Sequence, residues 1–124
     1  MAISTECSGA PGMRRKAAST PPASTTATLT RRPSAPLHSV EIAIDKAYTA
    51  ASFGLDTAAW AQVLRGHSDA VRAGLVLRPR FVAFGGGVPI VVEGQRIGAL
   101  GVSGGSEEQD GAIARAALAA LGLA

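Results

Sequence analysis

The sequence predicts a mixed α/β domain of the α+β kind, with helices around a short antiparallel hairpin. Three observations carry that expectation. An apolar stripe at helical spacing runs from Val40 to Ala51, two β-prone runs flank Glu93-Gly94-Gln95, and a capped amphipathic helix follows Ser106.

The first helix is expected to start at Ser39, whose hydroxyl can satisfy a free backbone donor. Val40, Ala43, Ile44, Ala47, Tyr48 and Ala51 form its stripe, which makes Tyr48 a core residue. Gly54 is a natural stop. Asp56 can cap a short helix from Thr57 to Leu64, which Gly66 ends, and Ser68 to Leu77 reads as further helical turns broken before Pro79. Phe81-Val-Ala-Phe84 is short and β-prone, and Gly85-Gly86-Gly87 follows it. Val88–Glu93 and Arg96–Val102 are the hairpin strands. Gly98 and Gly101 within the second strand point to something packed close against its backbone. Ser103-Gly104-Gly105 then leads into Ser106-Glu107-Glu108-Gln109, which fits a capping box. Ile113, Ala116, Ala117, Ala120 and Leu121 are the expected apolar face of that last helix.

Residues 1–34 differ in kind. They are rich in Ser, Thr, Pro, Ala and Arg and show no useful periodicity, so they read as a disordered leader. The net charge of +3 belongs there: Arg14, Arg15, Lys16, Arg31 and Arg32 face a single Glu6, whereas from Leu37 onward seven Lys/Arg meet eight Asp/Glu. A basic leader of this kind is not a nucleic-acid face, which needs cations clustered on a structured surface. The one cysteine, Cys7, rules out an internal disulfide or a cysteine-based metal site. No apolar run is long enough for a membrane helix, and no secretory h-region is visible, so the expected location is the cytoplasm and no membrane partner is expected.

Three blocks of sequence resemble one family. Ala43-Ile-Asp-Lys-Ala-Tyr-Thr-Ala50 with Phe53-Gly54, then Pro79 to Ile90 with Gly-Gly-Gly-Val-Pro-Ile, then Gly98 to Asp110 with Gly-Val-Ser-Gly-Gly and Glu-Gln-Asp, are similar to the signatures of GlcG/HbpS-type proteins. The resemblance implies residues 35–124 as the domain, with an antiparallel sheet flanked by helices in a profilin-like layered arrangement. It also implies a homo-oligomer and a small-molecule ligand: members bind haem, some bind iron, and related domains are fused to cobalamin-metabolism enzymes or encoded beside glycolate oxidation genes. The usual N-terminal helix and strand hairpin have no counterpart in the leader, so an N-terminally incomplete domain with an exposed sheet edge is expected. The codons of Ala23-Ser-Thr-Thr-Ala27, shifted in frame, can read Val-Asp-Asp-Gly, similar to the family's first strand, which makes a frame-shifted leader an expectation that resequencing tests.

Candidate ligand contacts follow from chemistry and from the resemblance together. Lys46 can reach a propionate, although a solvated lysine is the blander reading. Phe81, Phe84 and the hairpin's Val88, Ile90 and Val92 offer apolar walls beside Gly85, Gly86 and Gly87. Ser103, Gly104 and Gly105 precede a helix N-terminus, where backbone N–H groups suit an anionic edge, yet glycines at such places also serve turns and close packing. His38 and His67 are the only imidazoles available to a haem iron, and both also read as ordinary solvated side chains. Glu107, Glu108 and Asp110 share one turn, where the helix dipole alone explains them. No nucleophile, base and acid stand at a catalytic spacing, so no catalytic residue is assigned and the metal ligand stays open. The resulting expectation is an oligomeric binding protein for haem or a related planar anionic cofactor. The alternatives are an enzyme or accessory for a small organic acid or corrinoid, and an inactive truncated member.

Overall fold

The β3–β4 hairpin, Gly87–Val92 and Gln95–Ser103, is closed by Glu93 and Gly94 with φ of 50° and 75°. Two positive φ values in a two-residue loop are the geometry of a type I′ turn, whose twist matches that of the strands it joins. The structure, a computed structural model, describes residues 2–7 and 26–123. Two further strands, β1 (Ala2–Cys7) and β2 (Thr26–Arg31), complete an antiparallel sheet of order β2-β1-β4-β3. The helices are α1 (Leu37–Phe53), α2 (Trp60–Arg65), α3 (Asp69–Leu75) and α4 (Glu107–Ala120), with a 3₁₀ turn at Thr57–Ala59 before α2.

Side chains of β4 alternate between two faces. Leu100 and Val102 join Ile90, Ala114 and Leu118 in one core under α4. Ala99 meets Ala47, Ala50 and Ala51 of α1 on the other face. The sheet therefore lies between the two longer helices. The α1 side is packed with almost no large side chains, because a Cβ on Gly101 would run into the carbonyl of Ala43 and lie 2.8 Å from the amide nitrogen of Ala47. Alanine on the helix and glycine on the strand let the two backbones approach closely.

Several expectations need correction. Ala2–Cys7 and Thr26–Arg31 fall inside the stretch read as a disordered leader, and they supply the strands read as missing. β1 is laddered on both sides, to β2 from Ala2↔Arg31 to Cys7↔Thr26 and to β4 from Ala2↔Ser103 to Glu6↔Ala99. Backbone pairing along both edges holds a strand whose own pattern is weak, a tertiary effect that local composition does not carry. Ala23 to Thr25, the start of the frame-shift motif, lie outside the described residues. Helix α1 begins at Leu37 behind Pro36, so Ser39 is a buried helical residue and not the cap. Phe81 to Phe84 is irregular, because the amide of Val82 donates to Thr49 Oγ1 at 3.0 Å and not to a strand. Tyr48 is 38% exposed, with the guanidinium of Arg80 over its ring at 3.8 Å. On α4 the buried face is Asp110, Gly111, Ala114 and Leu118, while Leu121 is 70% exposed. The capping box at Ser106 and Gln109, the left-handed stop at Gly54 and the Asp56 cap are as expected.

The glycines give a paired stability test by urea denaturation. Gly101→Val should cost about 1–3 kcal/mol through overpacking. Gly74→Ala, in α3 with nothing within 4 Å of the added carbon, should gain up to about 1 kcal/mol. Equal effects at the two positions would contradict the close approach of α1 to β4.

Candidate functional site

Lys46 on α1 and Asp110 on α4 belong to helices on opposite faces of the sheet, yet their side chains meet. Nζ lies 2.8 Å from Oδ2, with the two side chains only 1% and 3% exposed. Nζ also donates to the carbonyl of Val102 at 2.9 Å, and Oδ1 accepts from the amide of Gly105 at 3.0 Å. Both charges are thus paired and hydrogen-bonded, which burial requires. The pair packs against Gly86, whose φ is 121°. A Cβ there would sit 2.7 Å from Lys46 Nζ and 2.9 Å from Asp110 Cβ.

The neighbouring glycines are equally constrained. A Cβ on Gly85 would lie 2.7 Å from the carbonyl of Glu107, and one on Gly87 would lie 2.6 Å from Thr57 Cγ2. The amide of Gly85 donates to Glu107 Oε2 at 3.1 Å, and that of Gly87 to Thr57 Oγ1 at 2.8 Å. Gly85, Gly86 and Gly87 are therefore packing positions first. Lys46 is neither solvated nor free to meet a carboxylate: its charge is already balanced by Asp110.

Beside the pair lies a cleft of about 260 Å³ between the starts of α1 and α4. Pro36, His38, Ser39 and Ile42 form one wall, and Ser103, Gly104, Gly105 and Glu107 form the other, with Lys46 and Asp110 also lining it and Phe84 at its edge. Phe84 is 44% exposed, and its ring centroid is 4.9 Å from Lys46 Nζ. His38 is exposed in this cleft, whereas His67 sits in the turn between α2 and α3 and does not line it. At the start of α4 two of the amide donors are already used. Gly105 N–H goes to Asp110, and Ser106 N–H goes to Gln109 Oε1 at 3.0 Å. Glu108, fully exposed, has its carboxyl held below the usual range by hydrogen bonds to its own backbone amide and to the Ser106 hydroxyl. Among the described residues no group of three His, Cys, Asp or Glu side chains is placed to hold a metal ion, and no helix is long and apolar enough to cross a membrane.

The cleft collects most of the residues singled out from sequence, but a larger concavity lies elsewhere. About 440 Å³ opens between Tyr48, Thr49, Ser52 and Phe53 of α1 and the segment from Leu75 to Phe81. Of the sequence-derived contact residues, Phe81 lines it. Sequence reasoning gave Asp110 to the helix dipole and missed its pairing with Lys46, although a signal was present. Asp110 stands four and eight residues before Ala114 and Leu118, in register with a buried stripe, just as Lys46 stands between Ala43 and Ala50. Opposite charges at two core positions are expected to find each other.

Removing one partner leaves the other buried and uncompensated. Lys46→Met should cost about 3–5 kcal/mol in urea denaturation, and adding Asp110→Asn should recover much of that loss. Additive losses in the double variant would show that the two side chains are not coupled.

Comparison with known proteins agrees with this architecture. The profile of the family described as "Haem degrading protein HbpS-like" matches residues 10–119. An uncharacterised 15.0 kDa protein of Citrobacter freundii, from a dhaT-dhaS intergenic region, is 39% identical over 80 residues, 64% of this chain and 56% of that protein. The corrinoid adenosyltransferase PduO of Salmonella typhimurium is 39% identical over 93 residues, 75% of this chain but only 28% of PduO. The chain thus spans about half of one relative and about a quarter of the other. Among solved structures, a complex of PduOC with haem superposes with a TM-score of 0.74 at 32% identity, covering 99% of this chain and 80% of that one. Klebsiella pneumoniae protein ORFY gives a TM-score of 0.73 at 28% identity, over 99% and 77% of the two chains. HbpS itself, at 24% identity and a TM-score of 0.65, shares the fold. With a profile match over most of its length and these structures behind it, the chain belongs to the HbpS-like family.

Proposed function

We propose that this protein binds haem or a related planar tetrapyrrole as a homo-oligomer, seating one edge of the ring between the starts of α1 and α4. The observation that carries the reading is the likeness over 99% of the chain to PduOC, a protein solved with haem bound. The cleft supports it with two suitable groups. His38 offers an imidazole, a common axial ligand of haem iron, and the exposed ring of Phe84 offers a flat apolar contact. Haem held there would supply a redox-active iron, and the protein would supply its ligand and its apolar cover.

A volume of about 260 Å³ is at the small end for a ligand site, so the cleft takes part of such a molecule and a neighbouring subunit covers the rest. Leu37, 80% exposed next to the cleft, is an apolar residue suited to that contact. At the Ser103-Gly104-Gly105 loop the amide of Gly105 is committed to Asp110 and Glu107 lines the cleft beside it, so the loop offers an anionic edge fewer donors than its sequence suggests. Lys46 supports the floor of the cleft through Asp110 and adds no net charge.

A second reading, an accessory acting on a corrinoid, is favoured by the likeness to PduO. Titration separates the two. Haem added to the full chain should give a saturable Soret shift on a defined oligomer by light scattering. His38→Ala should weaken binding by about tenfold or more, as loss of an iron ligand does, while His67→Ala leaves it unchanged. Binding of cobalamin with no haem response would move the assignment to the corrinoid.

A further inference from the structure

We propose that the larger cleft, between the outer face of α1 and the segment joining α3 to β3, is a second and separate site that binds a small aromatic monocarboxylate. The cleft holds about 440 Å³, inside the range of roughly 300–1,000 Å³ usual for small-molecule sites. Its walls combine aromatic rings with guanidinium groups. Tyr48, Phe53 and Phe81 supply the rings, and Arg78 and Arg80 supply the cations.

The charges fix the valence of the ligand. Arg80 donates to Asp45 Oδ1 at 3.1 Å, so a carboxylate already balances it. Arg78 has no ion-pair partner among the described residues and leaves one uncompensated positive charge at the cleft. One carboxylate matches it, and a guanidinium grips a carboxylate through two parallel hydrogen bonds. Ser52 adds a hydroxyl to the lining.

The backbone is arranged around this wall at some cost. Arg80 has a φ of 63°, which a non-glycine residue adopts only when its surroundings enforce it. In that conformation its carbonyl accepts from Thr49 Oγ1 at 2.9 Å and its guanidinium carbon lies 3.8 Å from the centre of the Tyr48 ring. The result is a cation–π contact at the edge of the cleft. At the inner end, Phe53 and Phe81 are 4.8 Å and 4.9 Å from the ring of Trp60, each edge to face. An aromatic ligand extends this cluster, since such rings prefer edge-to-face or offset neighbours.

Trp60 is the only tryptophan, so its fluorescence reports on the cleft through the two rings it touches. Benzoate titrated into the full chain should give a saturable change in that emission, with ¹⁵N shifts at residues 48–53 and 75–81. Benzamide, of the same shape without the charge, and Arg78→Gln, at an exposed position without a partner, should each weaken binding by about tenfold. Acetate should give no saturable response. Arg78→Gln should leave haem binding intact, and His38→Ala should leave benzoate binding intact, so either site can fail without the other. No saturable benzoate response by fluorescence or ¹⁵N shift up to about 10 mM, a concentration that detects even millimolar binding, overturns the proposal. So does benzoate binding unchanged in Arg78→Gln or matched by benzamide.

Discussion

The Lys46–Asp110 pair is the constraint around which the rest is arranged. It joins α1 and α4, which lie on opposite faces of the sheet, and packs against Gly86, where a side chain would leave it no room. Lysine is long enough to cross and carries a charge that must be met on the far side. Once the pair is present, Gly86 cannot carry a Cβ, Val102 must present its carbonyl, and the amide of Gly105 must turn inward to Asp110. A buried pair of this kind gains little over well-packed apolar residues of similar size, because desolvation offsets most of the attraction. Its consequence is positional. It fixes where the first turn of α4 stands relative to α1, and the cleft between them takes its shape from that placement.

The same pair decides the electrostatics of the cleft. A lysine in a helix that faces a ligand site looks like a handle for an anion, and here it is already neutralised. The glycine-rich turn before α4 looks like an anion cradle, but its Gly105 and Ser106 amides are already bonded to Asp110 and Gln109. What remains open to a ligand includes an imidazole and an exposed phenyl ring, the two groups on which the proposed haem site rests. A guanidinium unpaired among the described residues, that of Arg78, lies instead at the other cleft, so α1 borders two regions of different chemistry.

Much of this was legible from residues alone, and the failures have identifiable causes. The hairpin, the capping box at Ser106 and the left-handed stop at Gly54 depend on neighbours a few positions apart, and they appear where local chemistry puts them. The strands Ala2–Cys7 and Thr26–Arg31 depend on ladder partners far along the chain, so composition misread them. The buried face of α1 was read one step out of phase. A stripe of alanines is weakly directional, and Lys46 and Thr49, polar residues outside the expected stripe, are both buried with partners. Glycine ambiguity was resolved only by contact: Gly85, Gly86 and Gly87 each face an atom that leaves no room for a side chain.

The most direct test of this account is amide hydrogen exchange, compared between the wild-type chain and Lys46→Met where both are folded. If the pair positions the start of α4, lost protection should concentrate at Gly105, whose acceptor is Asp110, at the first turn of α4 and at the Gly85–Gly87 segment. The β3–β4 ladder should keep its relative protection. A uniform loss across the sheet and both helices, or unchanged exchange at Gly105, would contradict the claim that this pair sets the cleft.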